Sequence, residues 1–154
     1  MRRLIRSALF VPASKPRAIE KAAHVGADLL ILDLEDAVGP DEKDEARARV
    51  AETLDSWSAS GAIRAVRVNV PDTAWNAADM REAARADAIV LPKVNQVGDL
   101  HAARSALSTH GTSIPIWAMV ETPLGVMNLN GIASATGTGL AGLIAGTNDL
   151  AKEL

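Results

Sequence analysis

An α/β fold built on a parallel sheet covered by helices is what this sequence predicts, and three observations carry the prediction. Six short apolar runs recur, Leu4 to Val11, Leu29 to Leu32, Ala65 to Val68, Ala88 to Leu91, Ile114 to Val120 and Leu143 to Ala145. Alanine-rich, charged segments with helical periodicity separate them. Near-continuous apolar strands alternating with such segments read as a parallel sheet buried on both faces. The run starts lie 25, 36, 23, 26 and 29 residues apart, the scale of one strand–helix unit.

The elements follow in order. After the first run, Ile19, Ala22, Ala23 and Val25 mark the buried face of a helix. After the second, Pro40, Asp41 and Glu42 suit a helix start, and the charged run from 41 to 49 reads as that helix's solvated face. Val50, Leu54 and Trp57, at i, i+4 and i+7, supply its apolar stripe, so Trp57 is expected in the core. Trp75 opens a helix after the third run and is a candidate for the mouth of a site. Val97, Leu100 and Leu107 mark a helix after the fourth, and Trp117 belongs to the fifth strand. The four glycines between 137 and 146 read as a turn into strand six.

Composition bounds the function. The chain has 154 residues, 48% of them hydrophobic and 23% charged, which suits one ordered domain. A net charge of -3 gives no polyanion-binding surface, and one phenylalanine with no tyrosine gives no ladder for stacking bases, so no nucleic acid is expected. Without cysteine there is no disulfide scaffold, thiolate metal site or cysteine nucleophile. Arg2, Arg3 and Arg6 precede an apolar run in the manner of a signal peptide, but the run stops at Pro12. No stretch reaches the ~18 apolar residues of a membrane helix, so a cytoplasmic protein is expected. No GxGxxG, GxxxxGK[ST] or HExxH is present. His24, His101 and His110 fall in or at the ends of helices and are expected to be structural or at the surface.

Polar residues collect where strands end. The second run leads into Asp33-Leu34-Glu35-Asp36, the third into Arg67-Val68-Asn69 and the fourth into Pro92-Lys93. The fifth leads into Glu121-Thr122-Pro123 and the sixth into Gly146-Thr147-Asn148-Asp149. An open sheet favours only its switch-point crevice, whereas a barrel gathers every strand end around one mouth. The chain therefore predicts a (β/α)8 (TIM) barrel cut to about six βα units, since a full barrel takes about 250 residues.

Glu121 and Asp149 are the candidate metal ligands, because Mg²⁺ is commonly held by only one or two carboxylates. Capping of the helices that follow is their other reading. Arg67, inside an apolar strand, suits gripping a carboxylate or stabilising an enolate, or else a structural pair with Glu35. Asp33 and Glu35 share a side if the strand continues, and Asp36 then points away. Glu35 is placed to orient Arg67 and Asp36 to reach metal-bound water, while Arg64 is expected to face solvent. Lys93 is a candidate for a substrate phosphate or carboxylate, or for pairing with a nearby acid. Lys15 and Arg17 are candidates for an anionic cofactor, or plain surface charges.

Six segments, Arg6-Ser7-Ala8-Leu9-Phe10-Val11-Pro12, Leu32-Asp33-Leu34-Glu35-Asp36-Ala37-Val38, Arg67-Val68-Asn69, Leu91-Pro92-Lys93, Glu121-Thr122-Pro123 and Gly146-Thr147-Asn148-Asp149-Leu150, occur in family order across nearly the whole chain. Together they resemble the HpcH/HpaI aldolase and citrate lyase beta-subunit family, and most closely its CoA-ester lyase branch of malyl-CoA and citramalyl-CoA lyases. The resemblance implies a Mg²⁺-dependent TIM-barrel lyase that makes or breaks a carbon–carbon bond between an acyl-CoA enolate and a 2-oxo acid. Glu121 and Asp149 then match metal ligands, Arg67 a substrate-binding arginine, and Glu35 and Asp36 an acidic motif beside the metal. The family is commonly trimeric or hexameric, and a C-terminal aspartate of a neighbouring subunit transfers the proton. On this likeness residues 1–154 carry strands one to six of a longer barrel, and the chain alone is expected to show little activity. An aldolase acting on free hydroxy-oxo acids and a non-catalytic subunit are the alternatives.

Overall fold

The computed structural model describes residues 4–154, so Arg2 and Arg3 of the basic start lie outside the described residues. Six strands form one parallel sheet in the order of the chain, with β1 (Ala8–Pro12) and β6 (Leu140–Ala145) at its edges. Between them lie β2 (Leu29–Asp33), β3 (Ile63–Arg67), β4 (Ala88–Leu91) and β5 (Ile116–Val120). Helices follow each strand: α1 (Pro16–Ala22), α2 (Lys43–Ala48), α3 (Val50–Ser56), α4 (Asn76–Ala83), α5 (Val97–Thr109), α6 (Pro123–Met127), α7 (Leu129–Ala133) and α8 (Thr147–Glu153). This is the α/β architecture expected, and consecutive parallel strands in sequence order suit a truncated (β/α) barrel.

Alternation along the strands divides the core into two layers. Leu30, Leu32, Val66, Ile89 and Ala118 face the helices, where Leu54, Trp57, Leu100 and Leu107 pack on them. Trp57 is fully buried as expected, its indole N–H donating to the Ile19 carbonyl at 3.0 Å. Leu29, Ile31, Ala65, Ala88, Val90 and Met119 form a second cluster on the other face, joined by Phe10, Ile63, Trp117 and Ile144. Because the side-chain period is two, the inward phase of β2 ends on Asp33, that of β3 on Arg67, and that of β5 passes from Trp117 and Met119 to Glu121. The polar site is thus the C-terminal continuation of an apolar interior.

Several expected boundaries shift. The first strand begins at Ala8 rather than Leu4. Residues 6 and 7 instead bind Asp28, whose carboxylate accepts both their backbone N–H groups and the Arg6 guanidinium. The helical segment after β2 is broken at Arg49 and preceded by a 3-10 turn at Pro40–Glu42. Its charged run is no simple solvated face, because Lys43 is buried and the Arg47 side chain nearly so. β6 starts earlier than expected, at Leu140, after a turn in which Gly137 and Gly139 take positive φ. Arg64 turns to Asp87, donating to it at 2.8 and 2.7 Å and to the Leu54 carbonyl at 2.9 Å, rather than to solvent. His24, His101 and His110 are exposed. Among the described residues no helix is long and apolar enough to cross a membrane.

Candidate active site at the strand ends

Register places the first charged pair. Asp33 and Arg67 are direct partners on β2 and β3, at the C-terminal ends of both. The guanidinium donates through Nε to Asp33 Oδ1 at 2.7 Å and through Nη2 to Oδ2 at 2.5 Å, a bidentate fork. Nη1 pairs with Glu35 Oε2 at 3.0 Å and lies 3.8 Å from the Met119 sulfur. The Phe10 ring lies 5.1 Å away on its face. Of the five N–H donors of an arginine, three meet carboxylates and one meets sulfur, so the group is held in one orientation. Burial is the largest influence on Arg67 and opposes its charge, yet the hydrogen bonds and charges of Asp33 and Glu35 outweigh it and raise its pKa.

Asp33 also organises the loop that follows β2. Its Oδ1 accepts the Glu35 N–H at 2.8 Å and its Oδ2 the Ala37 N–H at 3.3 Å. Glu35 turns back on the same arginine, as expected, and Lys93 Nζ lies 3.7 Å from its Oε1. Burial pushes the Glu35 carboxyl above its ordinary pKa, with Arg67 pulling the other way. Asp36 is exposed, but rather than pointing away it lines the same opening as Asp149.

Glu121 is 2% exposed and does not cap the next helix; Thr122 does, its Oγ1 accepting the Gly125 N–H at 3.0 Å. Its Oε1 accepts the backbone N–H of Lys93 at 2.8 Å, a residue held at φ +50°, outside the region most side chains occupy. Burial raises the Glu121 pKa, opposed mainly by that N–H and Arg67, with the Asp149 charge adding to the rise. Asp149 lies in the first turn of α8, where Lys152 donates to it at 2.8 Å and lowers its pKa. Gly146 lets these strand ends close up. A Cβ there would sit 2.4 Å from both Cβ and Oε2 of Glu121.

These groups surround a cavity of about 500 Å³ lined by Phe10, Asp33, Asp36, Arg67, Met119, Glu121, Ile144, residues 145–148, Asp149 and Lys152. Arg67, Glu121, Asp149 and Asp36 therefore meet at one opening, and Glu35 and Lys93 stand just behind it. Lys15 and Arg17 do not line it: Lys15 lies 3.6 Å from Glu42 and Arg17 is exposed on α1. Trp75 lines a neighbouring cavity of about 330 Å³ with Glu35, Asp36, Lys43 and Lys93. Asp33 is the residue that sequence reasoning passed over; its one signal was its shared side with Glu35 beside an arginine-bearing strand.

Among the described residues no three or more histidine, aspartate or glutamate side chains form a ready metal cage. The cavity wall nevertheless holds four carboxylates, Asp33, Asp36, Glu121 and Asp149, against two cations, Arg67 and Lys152. That excess of two negative charges, with hard oxygen donors and a buried Glu121 that makes no ion pair among the described residues, fits a divalent cation such as Mg²⁺.

Residues 6–154 match the family described as HpcH/HpaI aldolase/citrate lyase. A (3S)-malyl-CoA thioesterase of Cereibacter sphaeroides is 46% identical over 97% of this chain and 51% of its own length. An L-malyl-CoA/beta-methylmalyl-CoA lyase of Rhodobacter capsulatus is 33% identical over 87% of this chain and 46% of its own. The crystal structure of protein CitE from Mycobacterium tuberculosis, in complex with magnesium and acetate, superposes with a TM-score of 0.75 at 31% identity, covering 95% of this chain and 56% of that one. The chain spans about half the length of the relatives it matches. With the six motifs now placed around one mouth, the chain belongs to the HpcH/HpaI aldolase/citrate lyase family, in its CoA-ester lyase branch.

Proposed function

We propose that this chain carries the metal and oxo-acid half of a Mg²⁺-dependent carbon–carbon lyase acting on a 3-hydroxyacyl-CoA thioester of the malyl, citramalyl or citryl type. The observation that carries the reading is the convergence of Arg67, Glu121 and Asp149 on one anion-rich cavity. Glu121 and Asp149 would hold the ion, which when bound supplies Lewis acidity and a template for the carboxylate and adjacent oxygen of the 2-oxo acid. In the cleavage direction a base takes the hydroxyl proton, the C–C bond breaks toward the thioester, and the acyl-CoA enolate that parts from the 2-oxo acid takes up a proton to give the acyl-CoA. Arg67, fixed by Asp33 and Glu35 before any ligand arrives, would meet the charge that grows on the thioester oxygen, a role in which preorganised donors are worth about 3 kcal/mol. Lys93, Lys15 and Arg17 would meet anionic parts of the CoA thioester. The full protein is proposed to work as a homo-oligomer in the cytoplasm, with residues 1–154 as part of one barrel domain.

A second reading keeps the substrate and changes the bond. Higher identity to the (3S)-malyl-CoA thioesterase than to the lyase supports hydrolysis of the thioester, giving malate and free CoA. One experiment separates them: incubate the chain, of which only slow turnover is expected, with malyl-CoA and Mg²⁺ for long enough to identify the products. Acetyl-CoA with glyoxylate supports the lyase, and malate with free thiol supports the hydrolase. The absence of both, with no Mg²⁺ or glyoxylate binding by calorimetry, would refute the assignment of this site.

A further inference from the structure

Lys43 is a charged side chain that the site does not use directly, yet it is 6% exposed. Its ammonium donates to the Leu34 carbonyl at 2.8 Å and to the Glu35 carbonyl at 2.7 Å, and sits 5.2 Å from the centroid of the Trp75 ring. Three donors are all an ammonium has, and here two carbonyls and one π face take them. Burial pulls the Lys43 pKa down while Glu35 and Asp33 push it back up. An ammonium placed in such surroundings is costly unless its partners are fixed.

Its partners are the backbone of the acidic loop. Leu34 O is gripped from a second side by Asn69 Nδ2 at 2.9 Å. That amide is itself fixed by fully buried Asp79 at 2.6 Å, which also accepts the Asn69 N–H at 2.9 Å and Arg47 Nε at 2.7 Å. Glu35 O accepts the Val38 N–H as well. The loop is tied elsewhere as well: the Leu34 N–H donates to the Arg67 carbonyl at 3.0 Å and the Glu35 carboxylate meets Arg67 and Lys93, while short-range contacts run from Asp33 and Glu35 to the amides of residues 35–37. Lys43 is thus the cationic strut that ties the loop's carbonyls to the next helix from behind, while Arg67 holds its carboxylates from the front.

We propose that Lys43 is a positioning residue: by holding the Leu34 and Glu35 carbonyls it fixes the acidic loop so that the Glu35 carboxylate stays on Arg67. The clamp rests on geometry alone, and its consequence for ligand binding rests on the function proposed above. Lys43→Met keeps most of the side chain's bulk and removes the donors; Lys43→Arg restores charge and donors. In ¹⁵N spectra of the 154-residue chain, Lys43→Met is expected to speed exchange of the Glu35, Asp36, Ala37 and Val38 amides about tenfold or more. The Arg67 Nε–H resonance is expected to shift and exchange faster, with the Leu30, Val66 and Val90 amides unchanged. Lys43→Arg is expected to recover at least part of the protection. Unchanged loop amides and Arg67 signal, or an equal acceleration of the strand amides, would overturn the proposal. Should the Met variant not fold, the same comparison in Lys43→Gln decides it. Calorimetry with glyoxylate and Mg²⁺ reads the consequence, expected as an about tenfold weaker affinity in Lys43→Met. Equal affinities overturn the positioning role. Failure of the unmutated chain to bind glyoxylate removes the functional reading and leaves the clamp to the exchange data.

Discussion

Deleting the Arg67 guanidinium strands Asp33, 1% exposed, without its cation and leaves Glu35, 4% exposed, with Lys93 alone. Breaking a buried pair from one side costs about 3–5 kcal/mol. Arg67→Met is therefore expected to lower the urea midpoint strongly, and Arg67→Lys to recover little because it cannot make the fork with Asp33. Arg67, Glu121 and Asp149 were legible in the sequence because charged residues ending apolar strands have no helical surface to explain them. Asp33 was harder to see, since an aspartate at a strand end serves equally as a turn former, and only the register with Arg67 tells the two apart. Lys43 was invisible for the opposite reason. It stands in a run of alternating charges that looks solvated, and its burial depends on a loop folding over it from nine residues upstream.

Strand ends and helix starts set the next scale. Gly146 follows β6 and leads into α8, and its hydrogen bond to the Val120 carbonyl at 3.0 Å brings it alongside Glu121. Gly146→Ala must displace the Glu121 side chain. The expected result is a loss of about 1–3 kcal/mol in stability together with weaker Mg²⁺ binding, read by urea unfolding and calorimetry. At the other end of the sheet, Arg64 hydrogen-bonds Asp87 and holds its carboxyl below the ordinary value of 3.8. A depressed carboxyl gives stability that is complete above its unfolded pKa and is lost as pH falls through the folded one. Glu35 and Glu121, raised by burial, act with the reverse sign, so stability declines as pH rises from 4.5 through their folded values. Urea midpoints across pH should fall on the acid side, and Asp87→Asn should flatten that limb. The number and order of the elements were readable from spacing, whereas the start of β1 was not. Apolar Leu4 and Ile5 look like strand, but the Asp28 carboxylate takes the backbone N–H groups of residues 6 and 7 before the ladder begins.

At the scale of the molecule, one face differs from the rest. Leu124, Val126, Met127 and Leu129 on α6 and α7 are exposed, as is Leu143 on β6. Large apolar side chains grouped along neighbouring elements favour association. Sedimentation is expected to show concentration-dependent self-association of this chain, reduced in Met127→Glu. The parallel order of the sheet was legible because its strands lack alternation, and the gathering of their ends around one mouth followed from that order. Which outer surfaces stay uncovered was not, since periodicity marks an apolar face without saying what packs against it. The proposed chemistry requires Glu121 and Asp149 to share one cation beside Arg67. Calorimetric titration of Mg²⁺ into the chain and into Glu121→Gln and Asp149→Asn tests this most directly. Saturable binding to the unmutated chain, weakened tenfold or more (about 1.4 kcal/mol) in both variants, is the predicted result, and no binding, or binding that both substitutions leave untouched, would contradict it.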